Sequence, residues 1–449
     1  MNAITRRWAA FADALHSRLW PIPAAAVVAA IGVGVALTNL EELYGRGLPP
    51  ALSDHLFGGD ADAARSVLTV IAGSLMTVTS LTFSLTVLTL QLASSQFSPR
   101  LLRTFTGDRF VQGSLALLLA TFAFALTVLR TVRAGPGDVE FVPQLSVTLA
   151  YLLAMTSVLT LVLFLAHLVR EIRVESMVST VHVEAGATMR RLLDPSAEIP
   201  IGAPPTPPPD AVLLTAGASG FLTRVDEVAL LAAAQDTGTV VLIDREPGSS
   251  LIARTPIGYA WALASQPVLD KERVQELQAR VARAVATGFE RTSVDDLGYG
   301  LRQLTDVATK ALSPGINDPT TAIHTLGHSA ALLCEFAAHT LGPKCLLDDE
   351  DRVRVVLRRP GLAELLELAI GAPRHYGAGD VAVLDRVFAL LRELAWCADQ
   401  PEHRSAIHDQ LERTRAVAAR QTFDAAERNR MRDAAIRVED ALDGRWPPQ

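Results

Sequence analysis

The chain has 449 residues, 49% of them hydrophobic and only 20% charged, with a mean hydropathy of +0.26. Soluble domains carry about a quarter charged residues, so a wholly soluble protein is a poor fit and a disordered one a worse fit. A net charge of −7 leaves no basic footprint for nucleic acid, and Cys334, Cys345 and Cys397 form no CxxC, which argues against a disulfide scaffold or a zinc ribbon.

Four stretches without a charged residue open the chain: Pro21 to Leu40, Ser66 to Ala93, Phe110 to Leu129 and Leu145 to Ala166. Each approaches or exceeds the ~20 residues that cross a ~30 Å hydrocarbon core as a helix. The first reads as a span rather than a cleaved leader, since it is long and shows no small-residue cleavage site. Arg6, Arg7, Arg18, Arg100, Arg103, Arg109, Arg170 and Arg173 flank one side of these spans, against Arg46, Arg65, Arg130 and Arg133 on the other. That bias predicts a multi-pass protein of the bacterial inner membrane with both termini cytoplasmic. Residues 1–180 carry 12 Arg, no Lys and 11 acids, whereas 181–449 carry 29 basic and 37 acidic residues, the charge density of a cytoplasmic domain.

Span two differs from the others. Thr69, Gly73, Thr77, Ser80, Ser84, Gln91 and Ser95 form one stripe at helical spacing, interrupted near Val87 and Leu88, and Thr79, Thr82, Thr86 and Thr89 form a second row. Two readings fit the stripe. Small hydroxyl residues let helices pack closely and bond to their own i−4 carbonyls; alternatively, they line a path shared by several copies of the chain, where hydroxyl dipoles replace part of an ion's hydration. The spans hold no Asp, Glu or Lys, which counts against a proton relay at membrane depth. Ser98-Pro99-Arg100 predicts the start of an interfacial helix. His167, near the end of span four, is read either as an anchor or as a proton sensor.

Residues 174–193 continue as a mixed-charge helix, read as a stalk, and the proline-rich 195–209 as a linker. Strand character follows at Ala211–Thr215, Phe221–Val225, Thr239–Ile243 and Ser250–Arg254, with a helix over Glu227–Gln235, so 210–265 reads as a small β-rich module. From Asp270 the pattern is helical: Asp270–Phe289, Asp296–Leu312, Thr320–Leu341, Gly361–Ile370, Gly379–Asp399, His403–Gln421 and Asp424–Leu442. The expected fold is mainly α: a four-helix transmembrane domain (1–173), a stalk and linker (174–209), the β-module and a helical cytoplasmic domain (266–449).

The densest polar cluster is Arg291, Asp295, Asp296, Arg302, Asp306, Asn317 and Asp318, read either as a ligand site or as a tight turn whose acids pair with the arginines. Asn317 or Asp318 would cap the following helix, with Pro319 at its first position. His324 and His328 share a helix face without an HExxH glutamate, and only His339 or Cys334 offers itself as a third ligand. No metal and no cofactor is expected. No GxSxG, P-loop or dinucleotide fingerprint occurs, so an enzyme reading lacks a catalytic motif.

LTFSLTVLTLQLASSQFSPRLLR (Leu81–Arg103), HLVREIRVES (His167–Ser176) and RTSVDDLGYGLRQLTDVATKALSPGINDPTTA (Arg291–Ala322) together resemble a bacterial family of predicted membrane proteins, domain of unknown function 2254. The resemblance implies a membrane region followed by a large cytoplasmic part, and brings no catalytic residues with it. The leading expectation is a homo-oligomeric channel or passive transport protein, partnered by the lipid bilayer and a small ion or solute, with span two lining the path. The alternative is a membrane-anchored sensor or scaffold whose helical domain binds a ligand or partner.

Overall fold

The computed structural model describes residues 20–44, 56–96, 108–133, 141–171, 174–193, 204–263 and 269–446. The chain divides into two compact units, Met1–Arg173 and Val174–Gln449. The interfacial helix expected from Ser98, the N-terminal arginines and the first part of the proline-rich linker lie outside the described residues.

The first unit holds α1 (Pro21–Tyr44), α2 (Ala61–Gln96), α3 (Arg109–Thr131) and α4 (Gln144–Glu171). All four are long and apolar enough to cross a membrane. α2 starts at Ala61, earlier than the uncharged stretch suggests, because Asp60 Oδ1 accepts the Ala63 amide at 2.8 Å and caps it. Its 36 residues correspond to about 54 Å of helix. α3 packs against each of the other three, and Leu118, Phe124, Ala125 and Val128 are buried along it. The crossing with α1 is close at Gly34, where a Cβ would stand 2.9 Å from Thr127 Cγ2.

Polar groups tie the helices at a few points. The Thr121 and Ser157 hydroxyls meet at 3.1 Å between α3 and α4. Glu41 of α1 accepts the amide and hydroxyl of Ser146 at 3.1 and 3.0 Å, so a side chain from one helix satisfies the open N-terminus of another. Asp108 caps α3 through the Phe110 amide at 2.8 Å, and its other oxygen lies 2.5 Å from His167 Nε2, joining the start of α3 to the end of α4. His167 thus has a partner 59 residues away that its own neighbourhood does not reveal.

The second unit begins with α5 (Val174–Leu192). It buries Met177, Val178, Val181 and Met189 and packs on α8 and α9, defined below, so it belongs to this unit's core rather than standing free as a stalk. β1 (Val212–Thr215), β2 (Gly220–Val225), α6 (Glu227–Thr237), β3 (Thr239–Ile243), β4 (Ser250–Leu251) and β5 (Pro256–Ala262) follow the expected pattern with one more strand. Then come α7 (Lys271–Ala284), β6 (Val285–Gly288), α8 (Tyr299–Ala311), α9 (Pro319–Ala337), β7 (Lys344–Leu347), β8 (Val353–Leu357), α10 (Leu362–Tyr376), α11 (Val381–Cys397), α12 (Pro401–Ala419) and α13 (Ala425–Leu442).

Two sheets form: β1-β5-β3-β8-β7, antiparallel except for the parallel β3–β8 pair, and β4-β2-β6, antiparallel throughout. Three strands therefore come from the segment read as helical. The helix expected to reach Phe289 stops at Ala284, where Val285 turns extended and pairs with Val225. Val353–Leu357 carries three valines and a buried Arg354 and is buried on both faces inside a sheet, so it lacks the alternation that marks a half-exposed strand. Leu214, Leu230, Val241, Ile257, Leu277 and Val355 form the core between these layers.

Candidate functional site

Two places concentrate polar chemistry, one in each unit. On α2, Thr69, Gly73, Thr77, Ser80, Ser84 and Gln91 are all exposed, while Thr79, Thr82, Thr86 and Thr89 are buried against the bundle. The two rows thus occupy opposite sides of one helix. Ser95 lies on the helix, but its side chain is outside the described residues. Thr77 donates to the Gly73 carbonyl at 3.2 Å and Ser84 to that of Ser80 at 2.9 Å, and the buried Thr82 and Thr86 bond back in the same way. Apolar residues border the stripe on both sides, Val70, Leu81 and Leu88 on one and Met76, Phe83 and Val87 on the other. The exposed face of α4, by contrast, is almost purely apolar, with Leu152, Met155, Leu159 and Val162.

In the second unit the Arg291–Gly298 loop, α8 and the segment after β8 enclose a cavity of about 540 Å³. Four of the seven cluster residues, Arg291, Asp295, Asp296 and Arg302, line it. Asp306 lies one turn further along α8 and does not. Asn317 is an exposed turn residue at φ 50°, and Asp318 caps α9, accepting the Thr321 amide at 3.1 Å and its hydroxyl at 2.6 Å. Those hydrogen bonds hold the Asp318 carboxyl below its ordinary range.

Arg291 grips buried Asp296 with two nitrogens, at 2.6 and 3.1 Å. The β3–β4 turn presses on this pair: Gly248 has φ 90°, and a Cβ there would stand 2.2 Å from Asp296 Oδ2. The Pro247–Leu251 loop thus packs on the cluster. Gly300 in turn lets α8 approach α5, since its Cβ would fall 2.3 Å from that of Ala185.

Sequence distance hid the other charges of the cavity. Arg191 comes from α5, Glu227 from α6, Arg245 and Glu246 from the β3–β4 turn, Lys344 from β7, Arg358 and Arg359 from the β8–α10 connection, and Glu364 from the first turn of α10. Glu227 serves two cations, Lys344 at 2.6 Å and Arg359 at 3.5 Å. Arg359 also donates to the Leu192 carbonyl at 2.9 Å, and Arg191 to that of Val294. Arg358 bonds Glu364 at 2.5 Å. Burial pushes the Asp295, Asp296 and Glu246 carboxyls above their ordinary values and the Arg359 guanidinium below its own. The arginine pairs at 190–191 and 358–359, each at the end of an element, were the signal available in the sequence.

The His324–His328 pair faces a groove into which α5 brings His182, whose ring lies 5.3 Å from that of His328. Burial, then the neighbouring His182 and His324, lower the His328 pKa. Among the described residues no group of three or more His, Cys, Asp or Glu is arranged to hold a metal ion. Cys334 is instead pushed up by burial and by Cys397 beside it.

Residues 16–393 match the family described as "Predicted membrane protein (DUF2254)". The chain is also similar to uncharacterized proteins of Mycobacterium bovis and Mycobacterium tuberculosis, each 33% identical over 447 residues, which cover 98% of this chain and 84% of the relative. No solved structure matches it. With four membrane-length helices in its first unit and a match that spans both units, the chain belongs to the DUF2254 family of predicted membrane proteins.

Proposed function

We propose that the protein is a homo-oligomeric channel or passive transport protein of the bacterial inner membrane, with both termini cytoplasmic and α2 of several copies lining a shared path for a small ion or solute. The observation that carries this reading is the position of the hydroxyl stripe. It lies on the side of α2 turned away from its own bundle, exposed among the described residues. Among the described residues the four helices leave no central path of their own, because α3 packs against the other three with its side chains buried. Symmetry is the simplest source of further walls.

The hydrogen-bond pattern agrees with this reading. Thr77 and Ser84 direct their protons to backbone carbonyls of their own helix, which leaves oxygen lone pairs facing outward. The apolar borders of the stripe supply dry contacts for a neighbouring copy, and the apolar face of α4 suits acyl chains.

The test is ion and solute flux into liposomes containing the purified protein, with a Ser80→Leu/Ser84→Leu variant beside the wild type. Flux that falls at least tenfold in the variant, at equal incorporation and equal oligomer size, is the expected result. A monomer in mild detergent, or unchanged flux, would reject the reading.

A further inference from the structure

We propose that the arginine-lined cavity of the second unit binds a phosphate ester, whose charge completes an electrostatic balance that the cavity's own side chains leave open. The argument stands apart from the role assigned to α2.

Seven cations line the cavity against five carboxylates, although residues 181–449 as a whole carry more acids than bases. The excess is local, and the pairing pattern locates it. Arg291 with Asp296 is a matched pair, and Arg358 meets both Glu364 and, at 3.5 Å, Asp244 just outside the lining. Lys344 and Arg359 share the single carboxylate of Glu227. Among the described residues, neither Arg191 nor Arg245 has a carboxylate within ion-pair distance. Two guanidiniums without a paired carboxylate suit a phosphate monoester, which carries about −1.5 to −2 at pH 7.

The kind of cation narrows the chemistry further. Six of the seven are arginines. A guanidinium presents parallel N–H donors that fit phosphate oxygens two at a time, where an ammonium offers a point charge. Several of them are held in place before any ligand arrives: Arg359 by the Leu192 carbonyl, Arg191 by that of Val294. Arg359 is buried to 17% side-chain exposure with half a counter-ion, an arrangement that costs stability unless another anion approaches.

Size argues for an ester rather than a bare phosphate ion. About 540 Å³ lies within the range of small-molecule sites. Leu192, Val225, Leu297, Leu357 and Leu365 give it apolar walls, which suit the carbon part of such a molecule.

The experiment is calorimetric titration of the purified full-length protein in phospholipid-free detergent, with AMP in one arm and dioctanoyl phosphatidic acid in the other. Saturable binding of at least one, near one per chain and with Kd on the order of 100 µM or tighter, is expected. Tighter binding of AMP identifies a soluble phosphate ester as the ligand, and tighter binding of phosphatidic acid a lipid headgroup. An Arg191→Gln/Arg245→Gln variant should bind at least tenfold more weakly while its unliganded melting temperature stays unchanged. Should that double variant misfold, Arg245→Gln alone, on an exposed turn, should weaken binding at least threefold. Absence of saturable binding in both arms, or undiminished affinity in a folded variant, would overturn the proposal.

Discussion

The two units satisfy their polar groups by opposite means. In the first, hydroxyls bond to the carbonyl one turn back on the same helix, as at Thr82, Thr86, Thr89 and Ser114, and only a few side chains reach across to a neighbour. In the second, charged groups find partners far along the chain: Arg359 meets Glu227 and Leu192, and Arg413 meets Glu367. The reason is the solvent each is built for. Hydrocarbon offers no hydrogen bonds, so a membrane helix must satisfy its groups locally. A water-exposed fold can assemble ionic clusters from remote segments, because the unfolded chain keeps those charges hydrated until they meet.

The largest effect is expected where the second unit buries charge, in the β7–β8 hairpin, although the partners there are only two to six residues apart. Asp348 accepts hydrogen bonds from the Glu350 and Arg352 amides and from the guanidiniums of Arg352 and buried Arg354. Burial opposes its ionisation, but those donors outweigh it and hold its carboxyl well below the ordinary range. Asp348→Ala strands Arg354 and should cost about 3 kcal/mol in thermal or denaturant unfolding. With a native-state pKa below the unfolded one, the stabilisation is present above the unfolded value of about 4 and is lost as pH falls through and below it. The gap between wild type and Asp348→Asn should therefore be full at pH 7 and narrow in the acid range.

Gly248→Ala comes next. It combines a left-handed backbone with a Cβ driven into the Arg291–Asp296 pair, and about 2 kcal/mol of destabilisation is expected. The same measurement on Gly73→Ala, which meets nothing within 4 Å, should show almost no loss of stability. In the first unit even a cross-helix bond is modest: Thr121→Val, which removes the contact with Ser157, should cost about 0.6 kcal/mol. Thr82→Val should cost less still, because its hydroxyl serves only its own helix, and under the proposed role it should leave flux unchanged where the Ser80→Leu/Ser84→Leu pair lowers it. A Thr82→Val penalty as large as that of Asp348→Ala would break the comparison.

What was readable in the sequence follows the same division. The four membrane helices declared themselves through uncharged length, and the cap at Asn317 or Asp318, which proves to be Asp318, through a polar signal just before Pro319. Both threonine rows of α2 were visible as rows. Which row faced the bundle was not, since the period gives relative angle and no absolute direction. The strands β6, β7 and β8 escaped notice because each is four or five residues long; β6 and β8 take their identity from partners about 60 to 115 residues away, and β7 takes its own from β8. Four of the seven cluster residues line the cavity, yet Arg191, Arg245, Lys344 and Arg359 come from separate elements that nothing local connects.

Local order along the chain was therefore enough to establish a membrane protein with a helix-rich second unit, because hydrophobic length and helical period are properties of neighbours. The outward turn of the serine and threonine stripe, the unequal sharing of Glu227 and the positive cavity inside an acidic unit arose only on folding. Each depends on which distant surfaces meet, and electrostatic balance is struck in space rather than along the backbone.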